Sequence, residues 1–149
     1  MITKKKFLLV LLIKFLFVTE FLFAFENKII LKVDNEIITS YDIEIEYRYL
    51  STLNKNIVNL DKKKIFEVSK DSLIKEKIKK IEIQKNISSN NITIDELYLS
   101  ELIKNTYQRL GFKNLDDFTS HLSNYGIEIE EIKDKISTES LWNELIYKK

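Results

Sequence analysis

His121 is the only histidine in the chain, and there is no cysteine. Zinc held by a single imidazole would need its other ligands from Asp and Glu alone, and a Ser-His-Asp triad would have to be assembled around this one ring. A surface or half-buried histidine on the helix through Phe118 and Tyr125 is the simpler expectation. Phosphate-cradling loops need clustered glycines, whereas Gly111 and Gly126 stand apart and each follows a helical pattern. Two carboxylates can hydrolyse a glycosidic bond. Asp116-Asp117 and Glu130-Glu131, however, sit at predicted helix starts, where acids complement the helix dipole. No cofactor, metal or catalytic residue is therefore expected, and the sequence argues for a binding protein rather than an enzyme. Tyr98, Tyr107, Tyr125 and Trp142 remain as candidate contacts for a bound polypeptide. All four lie on predicted helices, where a core position is the simpler placement and a groove position is the functional one.

The elements that would position these residues follow from composition and periodicity. The 149 residues include no Pro and two Gly, which disfavours a many-stranded sandwich or barrel and favours long helices in one domain. Ile29–Ile45 reads as strand, turn, strand and capped helix. Ile29, Leu31 and Val33 share one strand face, Asp34-Asn35 turns, and Ile37-Ile38 return. Thr39 is the expected N-cap with Asp42 at the third helical position. Tyr41–Leu53 fits both a strand alternation and helical rows, and the cap decides for helix. A polar connection, 54–61, leads to a long helix over Lys62–Asn86, whose lysines read as a solvated face.

Ser88-Ser89-Asn90-Asn91 reads as a loop, and Thr93 with Glu96 as a capping box for a helix ending near Leu110. A short helix starting at Asn114 or Asp116 runs through Leu115, Phe118, Leu122 and Tyr125. A last helix begins near Glu128 with Ile132, Ile136, Trp142, Leu145 and Ile146 apolar. The expected fold is mainly α, with about five helices and a small N-terminal β-hairpin.

Residues 1–24 differ from the rest. Met1–Lys6 is basic and Phe7–Ala24 is almost wholly apolar, the layout of an export signal with Ala24 as the cleavage residue. An uncleaved inner-membrane anchor is the alternative. A buried core helix ranks third because of the flanking lysines, and Lys14 and Glu20 weigh against membrane insertion. Lys4, Lys5, Lys6, Lys14 and Glu20 account for four of the 24 basic and one of the 23 acidic residues. The body, 25–149, keeps 20 and 22, a net charge of −2. Such a body offers no broad basic surface for nucleic acid.

The order of these features resembles the N-terminal domain of the SurA-like periplasmic chaperones, within the parvulin-type prolyl isomerases. The resemblance rests on Val33-Asp34-Asn35-Glu36-Ile37-Ile38-Thr39-Ser40-Tyr41-Asp42-Ile43, Leu73-Ile74 through Ile83, and Ile92-Thr93-Ile94-Asp95-Glu96-Leu97. It continues through Leu115-Asp116-Asp117-Phe118, Leu122, Tyr125-Gly126-Ile127, Ile132, Ile136 and Leu141. It spans the chain after residue 24 and implies a periplasmic chaperone that binds unfolded outer-membrane polypeptides through aromatic-rich extended segments. Relatives continue into an isomerase domain and a C-terminal helix that have no counterpart here. Isomerase activity is therefore not expected, and a homodimer or a partner supplying the missing helix is. The rival expectations are a membrane-anchored structural or assembly partner and an accessory subunit of a separately encoded parvulin isomerase.

Overall fold

The structure is a computed structural model that describes residues 27–90 and 94–148. It opens with an antiparallel hairpin of β1 (Ile29–Val33) and β2 (Glu36–Thr39). Asp34 begins the turn at φ +54, a left-handed conformation that Asp tolerates because its short side chain bonds locally. The register slips between Ile29 and Leu31, and this changes the expected face. The irregularity breaks the alternation, so Ile30, Leu31 and Val33 lean on the body while Ile29 is 67% exposed. Ile38 of β2 is fully buried against Ile43 and Leu73.

Thr39 then caps α1 (Ser40–Leu53) as the sequence predicts. Its hydroxyl accepts from the Asp42 amide, and the Asp42 carboxylate accepts from the Thr39 amide at 2.7 Å. The polar connection contains a short 3-10 turn, Lys55–Asn59. Helix α2 (Lys62–Asn90) starts with Asp61 accepting from the Lys64 amide and continues through Asn90. The loop expected at 88–91 is thus helical as far as Asn90. Favourable i→i−4 bonding carried on from the Lys/Glu-rich turns outweighs the weak helix preference of Ser and Asn.

Helix α3 (Glu96–Arg109) is capped by Asp95, whose carboxylate accepts from the amides of Leu97 and Tyr98. The cap shown is thus Asp95 where the sequence suggested a Thr93–Glu96 box. Asp95 is extended and its short carboxylate reaches two orphan amides, while Thr93 lies outside the described residues. Asn114 caps α4 (Leu115–Ser123), and α5 spans Ile129–Lys148.

Both glycines close helices by the same device. Gly111 (φ +91) donates to Gln108 while Phe112 donates to Tyr107, and Gly126 (φ +67) donates to Ser123 while Ile127 donates to Leu122. These paired bonds are Schellman closures, each requiring a left-handed residue. They turn the chain sharply enough to put Phe118, Leu122, Ile127 and Ile132 into one buried cluster with Tyr107 and Phe112 packed against it. His121 serves the same packing. Its Nε2 lies 3.2 Å from the Thr52 carbonyl oxygen, with its ring between Phe112 and Tyr125.

Helix α5 runs parallel to α2 and antiparallel to α3, and polar side chains tie it to α2. Lys135 bonds the carboxylates of Glu46 on α1 (2.7 Å) and Glu76 on α2, with its ammonium 4.5 Å from the Tyr49 ring centroid. Glu46 is 1% exposed, and its other oxygen accepts from Ser72. Lys79–Glu139 and Lys80–Asp134 extend the contact along the two helices. Farther along, Ile83 meets Leu145 beside Leu141 and Trp142. The lysine-rich face of α2 is therefore less solvated than its composition suggests.

Burial alone would raise the Glu76 pKa, but the charge and hydrogen bond of Lys135, with Lys80 behind them, hold it below the ordinary 4.5. Burial would lower Lys135, but Glu46 and Glu76 hold it above 10.5. The Tyr49 phenol is pushed up from 10.0 by burial first, then by Glu46, Glu76 and Glu139. Stabilisation from Glu76 is therefore present above pH 4.5 and is lost as the pH falls through its depressed value. That from Tyr49 and Lys135 is present below pH 10.0 and 10.5 and is lost as the pH rises through their raised values.

Urea unfolding across pH should thus give a plateau that falls away at both ends. Lys135→Met should cost about 3–5 kcal/mol at neutral pH, since it strands the buried Glu46 carboxylate and leaves Glu76 with Lys80 alone. That deficit should shrink on acidification, as the stranded acids take up protons. A deficit independent of pH would show that lost packing, not charge, is responsible.

Candidate functional site

The four candidate aromatics do not form one surface. Tyr107 is half-buried beside Phe118, with ring centroids 6.3 Å apart. Tyr125 is half-buried in the same cluster, 5.2 Å from the His121 ring. Trp142 packs against the Ile83–Leu145 cluster between α2 and α5. Tyr98 alone is mostly outside the core, 51% exposed in the first turn of α3.

Tyr98 opens onto a groove of about 560 Å³ between α3 and α5. The α3 wall is Tyr98, Leu102, Asn105 and Arg109, spaced four, three and four residues apart, so that they form one row along the helix. The α5 wall is Ile136, Glu139 or Ser140, and Asn143, again at helical spacing. Because the helices are antiparallel, Tyr98 faces the C-terminal half of α5 and Arg109 faces Ile136. Leu102, toward the Tyr98 end, and Ile136, opposite Arg109, give it apolar lining, and amides, hydroxyls and charged groups supply the rest. The groove residues other than Tyr98 were not apparent as a site from the sequence. Each row is visible as a helical stripe of mixed polarity, but nothing in the chain marks α3 and α5 as facing partners.

The electrostatics of the groove are set by pairing. Glu139 is engaged by Lys79 through two hydrogen bonds, and Glu144 by Lys148 at 2.7 Å. Arg109 is the only cation lining the groove, and no carboxylate among the described residues lies within ion-pair distance of it. A second, shallower hollow of about 390 Å³ lies between α1 and the start of α2, walled by Ile43, Tyr47, Ile65 and Phe66. Among the described residues no cluster of three His, Asp or Glu could hold a metal ion. No described helix is long and apolar enough to cross a membrane. The 7–24 segment, and with it the expected signal or anchor, lies outside the described residues.

The arrangement can hold an amphipathic chain segment: an apolar floor for one or two side chains, with amide and hydroxyl groups to pair with its backbone. It contains no nucleophile–base pair. Substitution should separate the aromatics by role. Tyr98→Ala should change the unfolding free energy by no more than about 0.5 kcal/mol, whereas Trp142→Ala and Tyr107→Ala should each cost about 2–4 kcal/mol in urea denaturation. A large loss at Tyr98 would instead make it a structural residue.

No family model matches the chain, and neither a curated protein nor a solved structure matches it.

Proposed function

We propose that the chain is an exported, SurA-like chaperone that holds unfolded outer-membrane polypeptides without catalysing a reaction. It grips extended, aromatic-rich segments in the groove between α3 and α5. The observation that carries this reading is the groove itself, open to solvent and fronted by a half-exposed tyrosine. Large apolar side chains stand uncovered at the same end of the helix pair. Leu97 is 82% exposed, Ile146 54% and Tyr147 92%. Uncovered apolar groups gathered beside a groove mark an interaction surface, where scattered ones would not.

Two further features support the reading. The elements follow the order that the sequence resemblance implies, hairpin first and then five helices. The first 24 residues have the basic and apolar layout of an export signal, which would bring the domain to the compartment where such clients are unfolded. Ile146, expected in the apolar row of α5, is turned outward, and under this reading it extends the gripping surface.

The test is dilution of an unfolded porin from denaturant with residues 25–149, followed by light scattering. Every described element lies within that range. Aggregation should be suppressed at near-stoichiometric ratio. Tyr98→Asp should raise the amount of protein required about fivefold, the effect of losing roughly 1 kcal/mol of contact. Tyr41→Asp, at a 54%-exposed tyrosine outside the groove, should leave it unchanged. A folded domain that suppresses nothing would defeat the chaperone reading.

A further inference from the structure

The groove carries a charge pattern that specifies more than apolarity. Both of its carboxylates already have ammonium partners, Glu139 in Lys79 and Glu144 in Lys148, while Arg109 has no carboxylate within ion-pair distance among the described residues. The remaining local use for a cation at a helix C-terminus, bonding to the last carbonyls, is largely taken. Thr106, Tyr107 and Gln108 accept from Leu110, Phe112 and Gly111 in the closure of α3. The guanidinium therefore reaches the groove with its donors uncommitted to carboxylate or terminal carbonyl. Asn105 stands one turn away on the same wall. Beside them Leu102 and Ile136 supply apolar surface.

We infer that the groove prefers peptide segments in which an aspartate or glutamate lies close to aromatic or aliphatic residues, the carboxylate pairing with Arg109 and the apolar side chains resting on Leu102 and Ile136. The inference rests on the groove being the peptide-binding site. Charge complementarity selects this occupant. A basic segment would meet an uncompensated guanidinium and carboxylates that are already neutralised. A wholly apolar segment would leave that guanidinium partly desolvated and unpaired. Arginine also suits a carboxylate in geometry, since its planar fork can donate two parallel hydrogen bonds.

The experiment is fluorescence anisotropy with the full chain and two labelled peptides. Both alternate aromatic with small polar residues and differ only in one central residue, Asp or Asn. The Asp peptide should bind about fivefold more tightly at low salt, with the ratio narrowing as salt is added. Arg109→Gln should bring the ratio near one, and Arg109→Lys should keep part of it. Lys104→Gln, which removes an exposed cation that does not line the groove, should leave the ratio as it was. Equal binding of the two peptides would overturn the inference and leave the peptide-holding function standing. A preference that survives Arg109→Gln, or that Lys104→Gln abolishes as well, would also overturn it by assigning the effect to net charge. Binding of neither peptide would sink both this inference and the groove as a client site.

Discussion

The architecture depends on one ammonium group shared by a buried and a half-buried carboxylate. Lys135 projects from α5 into the seam where α1 and α2 pack, and its partners come from both helices. Three helices are thus fixed by one point of charge balance. Desolvation makes this contact selective: Glu46 is almost wholly buried, and a buried carboxylate without a partner costs several kcal/mol. A shift of α5 by one turn, or a rotation that turned Lys135 outward, would strand Glu46 and leave Glu76 with Lys80 alone. Apolar contacts such as Ile83 with Leu145 tolerate sliding far better, because dispersion and burial are nearly indifferent to register. The ionic contact therefore sets the position of α5, and the apolar contacts contribute most of its adhesion.

The placement of α5 in turn shapes the groove. With Lys135 directed toward α1 and α2, its neighbour Ile136 is carried about 100° round the helix, toward α3. Glu139 lies one turn on from Lys135 and sits between the two regions, bonded to Lys79 and lining the groove. The same helix thus presents an ionic face to α2 and a mixed face to α3. Near the α4 end, α3 and α5 are held together by the cluster of Phe118, Leu122, Ile127 and Ile132. Toward Tyr98 and Asn143 no comparable buried cluster lies between them among the described residues, so the space there remains a groove.

Much of the fold was legible in the sequence, because local chemistry fixes it. Thr39 with Asp42, Asn114 as a cap, and the two glycines each act over a few residues, and each appears where the pattern places it. The departures arise where a local signal competes with something nearby. Asp95 caps the described start of α3, with the Thr93 half of the expected box outside the described residues, and the slip at Ile30 turns Ile29 outward despite its place in the alternation. The groove and the ion cluster were harder to read for a different reason. Glu46 and Lys135 are 89 residues apart, and a glutamate in a helix that also carries Arg48 and Glu44 reads as part of a solvated face. One clue was present: Glu46 follows Ile43 by three residues, which places an acid on the apolar row. Recognising it as buried requires knowing which helix arrives with the counter-charge.

The same consideration explains why the aromatic residues separate as they do. An aromatic ring on a helix is buried when an opposing element covers the face it leaves, and along α3 the face decides this. Tyr107 lies where Phe118 and Phe112 pack, so it joins the core. Tyr98, about two and a half turns away on the same helix, leaves the opposite face, away from that cluster. Sequence spacing separates the two tyrosines: nine residues are about two and a half turns, so they leave opposite faces of the helix. Tyr107 meets the α4 cluster, while Tyr98 lines the groove and is left available to touch something else. The core set by two glycine-closed turns around α4 thus covers the Tyr107 face of α3 and leaves the Tyr98 face to the groove.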